Sequence, residues 1–152
     1  MDGTEGGGRR ELITFRVGEQ EFCTDIMAVR EIRGWTPTIR IPQSGPHILG
    51  MINLRGAVLA IMDLSARLGL GEAEPTVRDV IMVADIDGRS IGLLVSEVSD
   101  ILTITDDMIQ PPPDVGCDVV KALVKGVISV DERMISLLDL RDLRSGEMAE
   151  AA

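Results

Sequence analysis

This sequence predicts an all-β protein built from two repeated halves, and three observations predict it. Residues 50–64 align without a gap onto residues 126–140, glycine at the head and Asp-Leu at the tail of both, with the core-facing apolar positions apolar in each copy. An earlier segment repeats as well. Leu12-Ile13-Thr14-Phe15 answers Val80-Ile81-Met82-Val83, and after one inserted residue Phe22, Ile26, Val29, Glu31 and Ile32 answer Ile91, Val95, Val98, Asp100 and Ile101. The order a-b-a'-b' is the mark of a duplicated structural unit. Third, short strand-like runs are separated by turn residues every 8 to 12 positions and helix is scarce, which points to small barrels or a sandwich.

The elements follow in chain order. Residues 1–10, with Gly6-Gly7-Gly8, have nothing to pack and read as a mobile tail. Residues 11–17 and 21–24 form a hairpin across Gly18-Glu19-Gln20. The apolar run 57–62 reads as a strand buried on both faces, followed by a brief helix at 63–68 that Gly69 stops. Residues 71–75 link the halves, dividing the chain into subdomains 11–74 and 75–145. Runs 79–86 and 89–95 form a second hairpin across Asp87-Gly88, a pair suited to positive φ. Pro111-Pro112-Pro113 forces an extended stretch, 134–138 reads as another buried strand, and a helix is expected over 138–148 before the tail 146–152. Met51, Met62, Met82 and Met134 fall in strand-like runs and are expected mostly in the core.

Composition narrows the functional classes. At 152 residues the chain can bury about 70% of its unfolded surface, whereas one half alone would be marginal. A net charge of −10 opposes polyanions, and with 2% aromatic residues there is no series for stacking on bases, so nucleic acid is not an expected partner. Anionic membrane surfaces are disfavoured for the same reason. The longest apolar run, 57–62, is far below the roughly 20 residues that span a bilayer, and the acidic, glycine-rich first ten residues are no cleavable signal; a cytoplasmic protein is expected. Cys23 and Cys117, without a C-x-x-C pair, suit reduced thiols used as small apolar residues.

No catalytic or metal constellation emerges. His47 is the single histidine, set in a turn, so no Ser-His-Asp or Cys-His arrangement is available. One histidine and two scattered cysteines cannot supply the usual zinc sets. Asp85-Ile86-Asp87-Gly88 opens like a calcium loop, but the glycine comes early and Ser96 stands at the twelfth position. Glu31 and Asp100 read as solvent-facing residues at strand ends rather than an acid–base pair. No cofactor is expected. Arg55 differs from all of these: Asp131 stands at its place in the second copy, so the repeat does not require an arginine there.

The tetrapeptide Asn53-Leu54-Arg55-Gly56, followed by an apolar strand and Asp63-Leu64, resembles the CheW family of chemotaxis coupling proteins. The likeness extends over residues 11–143, through Phe22 to Ile26, Val29 to Ile32, Arg40-Ile41-Pro42, Ile91 to Val95 and Val98 to Ile101. It implies two SH3-like five-stranded β-barrel subdomains with a hydrophobic groove between them and a short C-terminal helix. It also implies a non-catalytic adaptor that binds the cytoplasmic tip of chemoreceptors and the regulatory domain of the histidine kinase CheA, and that joins other CheW copies in rings. Carried over by position, Arg55, Gly92, Val98 and Ile101 would serve the receptor, and Ile26, Val29 and Glu31 the kinase. Because Ile26, Val29, Val98 and Ile101 recur between halves, core packing is the alternative for each. Two positions depart from the family pattern, Ala60 for proline and Cys23 for glycine. A coupling protein of a pilus or developmental pathway fits the same residues, and a small ligand-binding barrel is the rival from another class.

Overall fold

The computed structural model describes residues 8–42, 45, 47–112 and 123–143. Eleven strands appear among them: β1 (Arg9–Val17), β2 (Gln20–Asp25), β3 (Val29–Gly34), β4 (Ile48–Leu54), β5 (Ala57–Asp63), β6 (Val80–Ile86), β7 (Arg89–Val95), β8 (Glu97–Thr105), β9 (Ile109–Gln110), β10 (Val124–Val130) and β11 (Arg133–Leu138). Among the described residues helix is limited to α1 (Leu64–Arg67), α2 (Arg141–Leu143), a single helical residue at Leu123, and two 3-10 turns, Ile26–Ala28 and Asp106–Met108. The all-β reading holds.

The strands form two sheets, ordered β8-β1-β2-β11-β10-β9 and β3-β6-β7-β5-β4. Neither is drawn from one half of the sequence. The β1–β2 hairpin of the first repeat pairs with β8 and β11 of the second, while β6–β7 pairs with β3 and β5 of the first. The joints β2–β11 and β5–β7 are parallel, and a parallel neighbour cannot be reached by a tight turn, so it has to come from a distant segment. The boundary near residue 75 therefore separates the repeats but not the sheets.

Hydrogen bonding leaves both sheets open among the described residues, with six and five strands in place of two closed five-stranded barrels. The extra strand is the two-residue β9, paired through Gln110 and Val127; its counterpart is the single bridge between Ile39 and Met51. Three apolar clusters hold the molecule together. Leu12, Cys23, Ile104, Ile128, Ile135 and Leu137 fill the first sheet, and Ile52, Leu59, Ile61, Ile81 and Val83 fill the second. The third lies between them, where Phe15, Phe22 and Leu138 meet Met62, Met82, Leu93 and α1's Leu64.

Turn geometry sets the repeat register. Val17 and Gln20 flank one two-residue turn as Ile86 and Arg89 flank the other. Counting back from the turns, Leu12 matches Ile81 rather than Val80, and no inserted residue is needed. The match of Val29 with Val98 and of Ile32 with Ile101 then follows directly: Val98 lies opposite Phe15 and Val29 opposite Ala84, Ile101 opposite Ile13 and Ile32 opposite Met82.

Several local expectations change. β1 begins at Arg9, inside the expected tail, because Arg9 and Arg10 pair with Thr105 and Ile104 and Arg10 is bridged to Asp106. Leu138 ends β11, so the last helix starts only at Arg141. Residues 1–7, 144–152, Pro113 and Cys117 lie outside the described residues. The brief helix after residue 63 is present, with the Asp63 carboxylate accepting from Ala66 N and also from Ala73 N, which ties the inter-repeat link to α1. Met62 and Met82 are fully buried, Met51 is half-buried, and Met134 is 65% exposed because it stands on the outward side of β11 near its start.

Candidate functional site

Arg55 occupies the tip of the β4–β5 hairpin. Its φ of +52° with +88° at Gly56 is the mirror-image turn that matches strand twist, and Asn53 Oδ1 accepts from Gly56 N at 2.9 Å. The second copy makes the same turn with Asp131 and Glu132, at +50° and +67°. Arginine is thus dispensable to the turn, as the repeat implies.

The guanidinium is engaged all the same. Arg55 Nη2 and Nη1 donate to Glu31 Oε1 and Oε2 at 3.1 and 3.4 Å, a forked pair between a 69% exposed arginine and a glutamate with 28% of its side chain exposed. Glu31 is on β3, one edge of the five-stranded sheet, and Arg55 is beside β4, the other edge. The sheet is therefore curled until side chains on its two margins touch. Arg33, two residues along β3, donates from Nη1 to Glu31 Oε2 at 3.5 Å. The Arg55 hydrogen bonds above all, with Arg33 adding to them, hold the Glu31 carboxyl below the ordinary glutamate range against an opposing effect of partial burial. Glu31, expected to face solvent at a strand end, is half-buried and paired within β3; Asp100 is exposed.

The structure separates the remaining residues. Val98 and Val29 are half-buried and pack against the core between the sheets. Ile101 is 53% exposed on edge strand β8. Ile32, its repeat partner on edge strand β3, is 46% exposed and was not among the expected contact residues, although the repeat itself pairs the two. Ile26 is half-buried in the first 3-10 turn, beside a cleft of about 910 Å³ shared with Met27, Arg10, Asp85, Lys125 and Leu138. Gly92 is buried: a Cβ there would lie 2.6 Å from Ile61 Cδ1 and 2.9 Å from Ile81 Cγ2. The space a side chain would need there is taken by the sheet's own core.

Among the described residues no three His, Cys, Asp or Glu side chains are grouped to hold a metal. No helix of the described residues is long and apolar enough to cross a membrane. Burial pushes the Cys23 thiol up to about 12, in keeping with use as a small apolar residue.

Known proteins resemble this arrangement over nearly its whole length. The CheW-like domain family matches residues 11–147. The chemotaxis protein CheW of Rhizobium meliloti is 56% identical over 149 residues, covering 98% of this chain and 95% of that protein. A probable chemotaxis protein CheW of Rhizobium etli is 54% identical over 145 residues, covering 95% and 94%. The crystal structure of the scaffolding protein TtCheW from Thermoanaerobacter tengcongensis superposes with a TM-score of 0.80 at 30% identity, covering 88% of this chain and 91% of that one.

Proposed function

We propose, since this chain belongs to the CheW family and is a chemotaxis coupling scaffold rather than an enzyme, that it acts in the cytoplasm by holding the tip of a chemoreceptor and the regulatory domain of the kinase CheA at the same time. The observation that carries this reading is the pair of half-exposed isoleucines, Ile101 and Ile32, on the two edge strands at repeat-equivalent positions. Both continue rows whose inner members, Ile13 and Met82, are buried. An apolar margin of this kind suits the apolar face of a helical hairpin.

On this reading Val98 and Ile101 meet the receptor, and Arg55 grips a carboxylate or helix carbonyls at its rim with two parallel donors. Gly92 contributes indirectly, by keeping Ile61 and Ile81 packed beneath the surface. Ile26, Val29 and Glu31 serve the kinase side, where the apolar corner after β2 is followed by β3. The two surfaces then share one element, the Glu31–Arg55 pair. Other copies of the family would join through the same faces, since a heterologous contact that repeats can close into a ring.

The test is titration of the protein with a soluble receptor-tip fragment. Binding at about micromolar strength is expected for a transient signalling contact. Arg55→Glu should weaken it by about tenfold, as loss of a contact worth about 1.4 kcal/mol would, with only a small fall in melting temperature, because the turn does not need the residue and the ion pair lost with Glu31 is largely exposed on the arginine side. Equal binding by the variant would remove Arg55 from the receptor site. Loss of folding would reassign it to structure.

A further inference from the structure

The Glu31 carboxylate has two cations beside it, and the scaffold reading uses one. Arg55 makes the shorter, forked contact from a turn, with most of its side chain in water. Arg33 makes the longer one from within β3, held by the ladder opposite Ile81. Its Nη1 reaches the same oxygen, Oε2, that Arg55 Nη1 uses. Its Nε is buried with no hydrogen-bond partner among the described residues. A buried donor left unmatched favours any movement that brings an acceptor closer.

Resting on the scaffold reading above, we infer that Arg33 is a positioning residue that takes over the Glu31 carboxylate when Arg55 leaves it for an acceptor on the receptor. A glutamate's terminal torsion is broad and soft, so the carboxylate can turn from the hairpin tip towards β3 without moving the strand. Arg33 and Glu31 are two apart on one strand and share a face, and the 3.5 Å contact shortens as Arg55 withdraws. Without Arg33, releasing Arg55 would leave a half-buried carboxylate with no counter-charge, and the release would be opposed. Arg33 therefore sets how readily Arg55 becomes available, while touching no partner itself.

Two measurements test this. In the free protein, the Glu31 carboxyl is titrated by carbon NMR. Arg55→Ala should leave it below the ordinary value of 4.5, and adding Arg33→Gln should return it there. Return in Arg55→Ala alone would show that Arg33 does not hold the carboxylate and would overturn the inference. In receptor-fragment titrations, Arg33→Gln should weaken binding about two- to fivefold, the scale of a partly exposed ion pair, and Arg33→Lys should restore most of it. In a Glu31→Gln background Arg33→Gln should have no effect, since Arg55 is already free. An equal loss in both backgrounds would make Arg33 a direct contact or a structural residue, against the inference. Failure of the unaltered protein to bind the fragment would overturn the scaffold reading, whereas the titration of free protein judges Arg33 by itself.

Discussion

Replacing Gly92 with alanine distinguishes a glycine that a partner approaches from one that the protein's own core approaches. The added Cβ would stand 2.6 Å from Ile61 Cδ1 and 2.9 Å from Ile81 Cγ2, well inside the roughly 3.5–4.0 Å of favourable carbon contact. Ile61 Cδ1 is the far end of a flexible side chain and can swing aside. Ile81 Cγ2 branches at Cβ on the neighbouring strand, so it yields only through an unfavourable χ1 or a backbone shift. Overpacking of this kind costs about 1–3 kcal/mol. At about 2–4 °C per kcal/mol for a chain of this size, the melting temperature should fall by about 2–12 °C. The matched position in the other sheet explains why a side chain is tolerated there: Cys23 faces Leu12 and Leu137, branched one carbon further out, where Gly92 faces Ile81 and Ile61. Gly92→Ala combined with Ile81→Leu should therefore recover part of the loss. The assay is thermal unfolding by circular dichroism, with receptor-fragment affinity measured well below both transitions. An unchanged melting temperature with lost affinity would refute the packing argument and make Gly92 a contact residue.

Three further outcomes follow from the same structure. Glu132 holds a φ of +67° at a turn position that favours glycine, so Glu132→Gly should stabilise the protein by about 0.5–1 kcal/mol, read as a higher urea midpoint. The Glu21 carboxyl is held below its ordinary value of 4.5 chiefly by hydrogen bonds from Arg133, at 2.6 and 3.0 Å. A lowered folded-state pKa gives stability that is present above the unfolded value and lost as pH falls through the folded one. Unfolding free energy should thus decline below about pH 4.5 more steeply in the unaltered protein than in Glu21→Gln; parallel curves would show that the pair contributes nothing. Finally, in a Cys117→Ser variant the buried Cys23 thiol, pushed up to about 12, should resist an aromatic disulfide reagent at pH 8 until the protein unfolds. Rapid labelling would contradict its place in the core.

The duplication was legible because apolar periodicity survives when surface residues change, as Arg55 and Asp131 show at one turn. What lay between the repeats was less so. Leu12, Ile13, Thr14 and Phe15 are all buried, and a strand covered on both faces has no alternation to fix its register. The turns supply that register, which is how Leu12 comes to match Ile81. The exchange of strands between sheets is a non-local pairing, β2 with β11 and β5 with β7, and no local pattern records it. The Glu31–Arg55 pair was hidden for a similar reason: the two residues are brought together only by the curl of a whole sheet. Among the site residues, the repeat marked Val29, Val98, Ile32 and Ile101 as equivalent, but only burial distinguishes the two packed valines from the two half-exposed isoleucines.

As proposed above, this chain joins two macromolecules at once. Titrating it with a soluble receptor-tip fragment and with the CheA regulatory domain, first separately and then together, tests that claim most directly. The expected result is a ternary complex in which each partner's affinity is kept or strengthened by the other. Mutual displacement, with one partner leaving as the other binds, would contradict it.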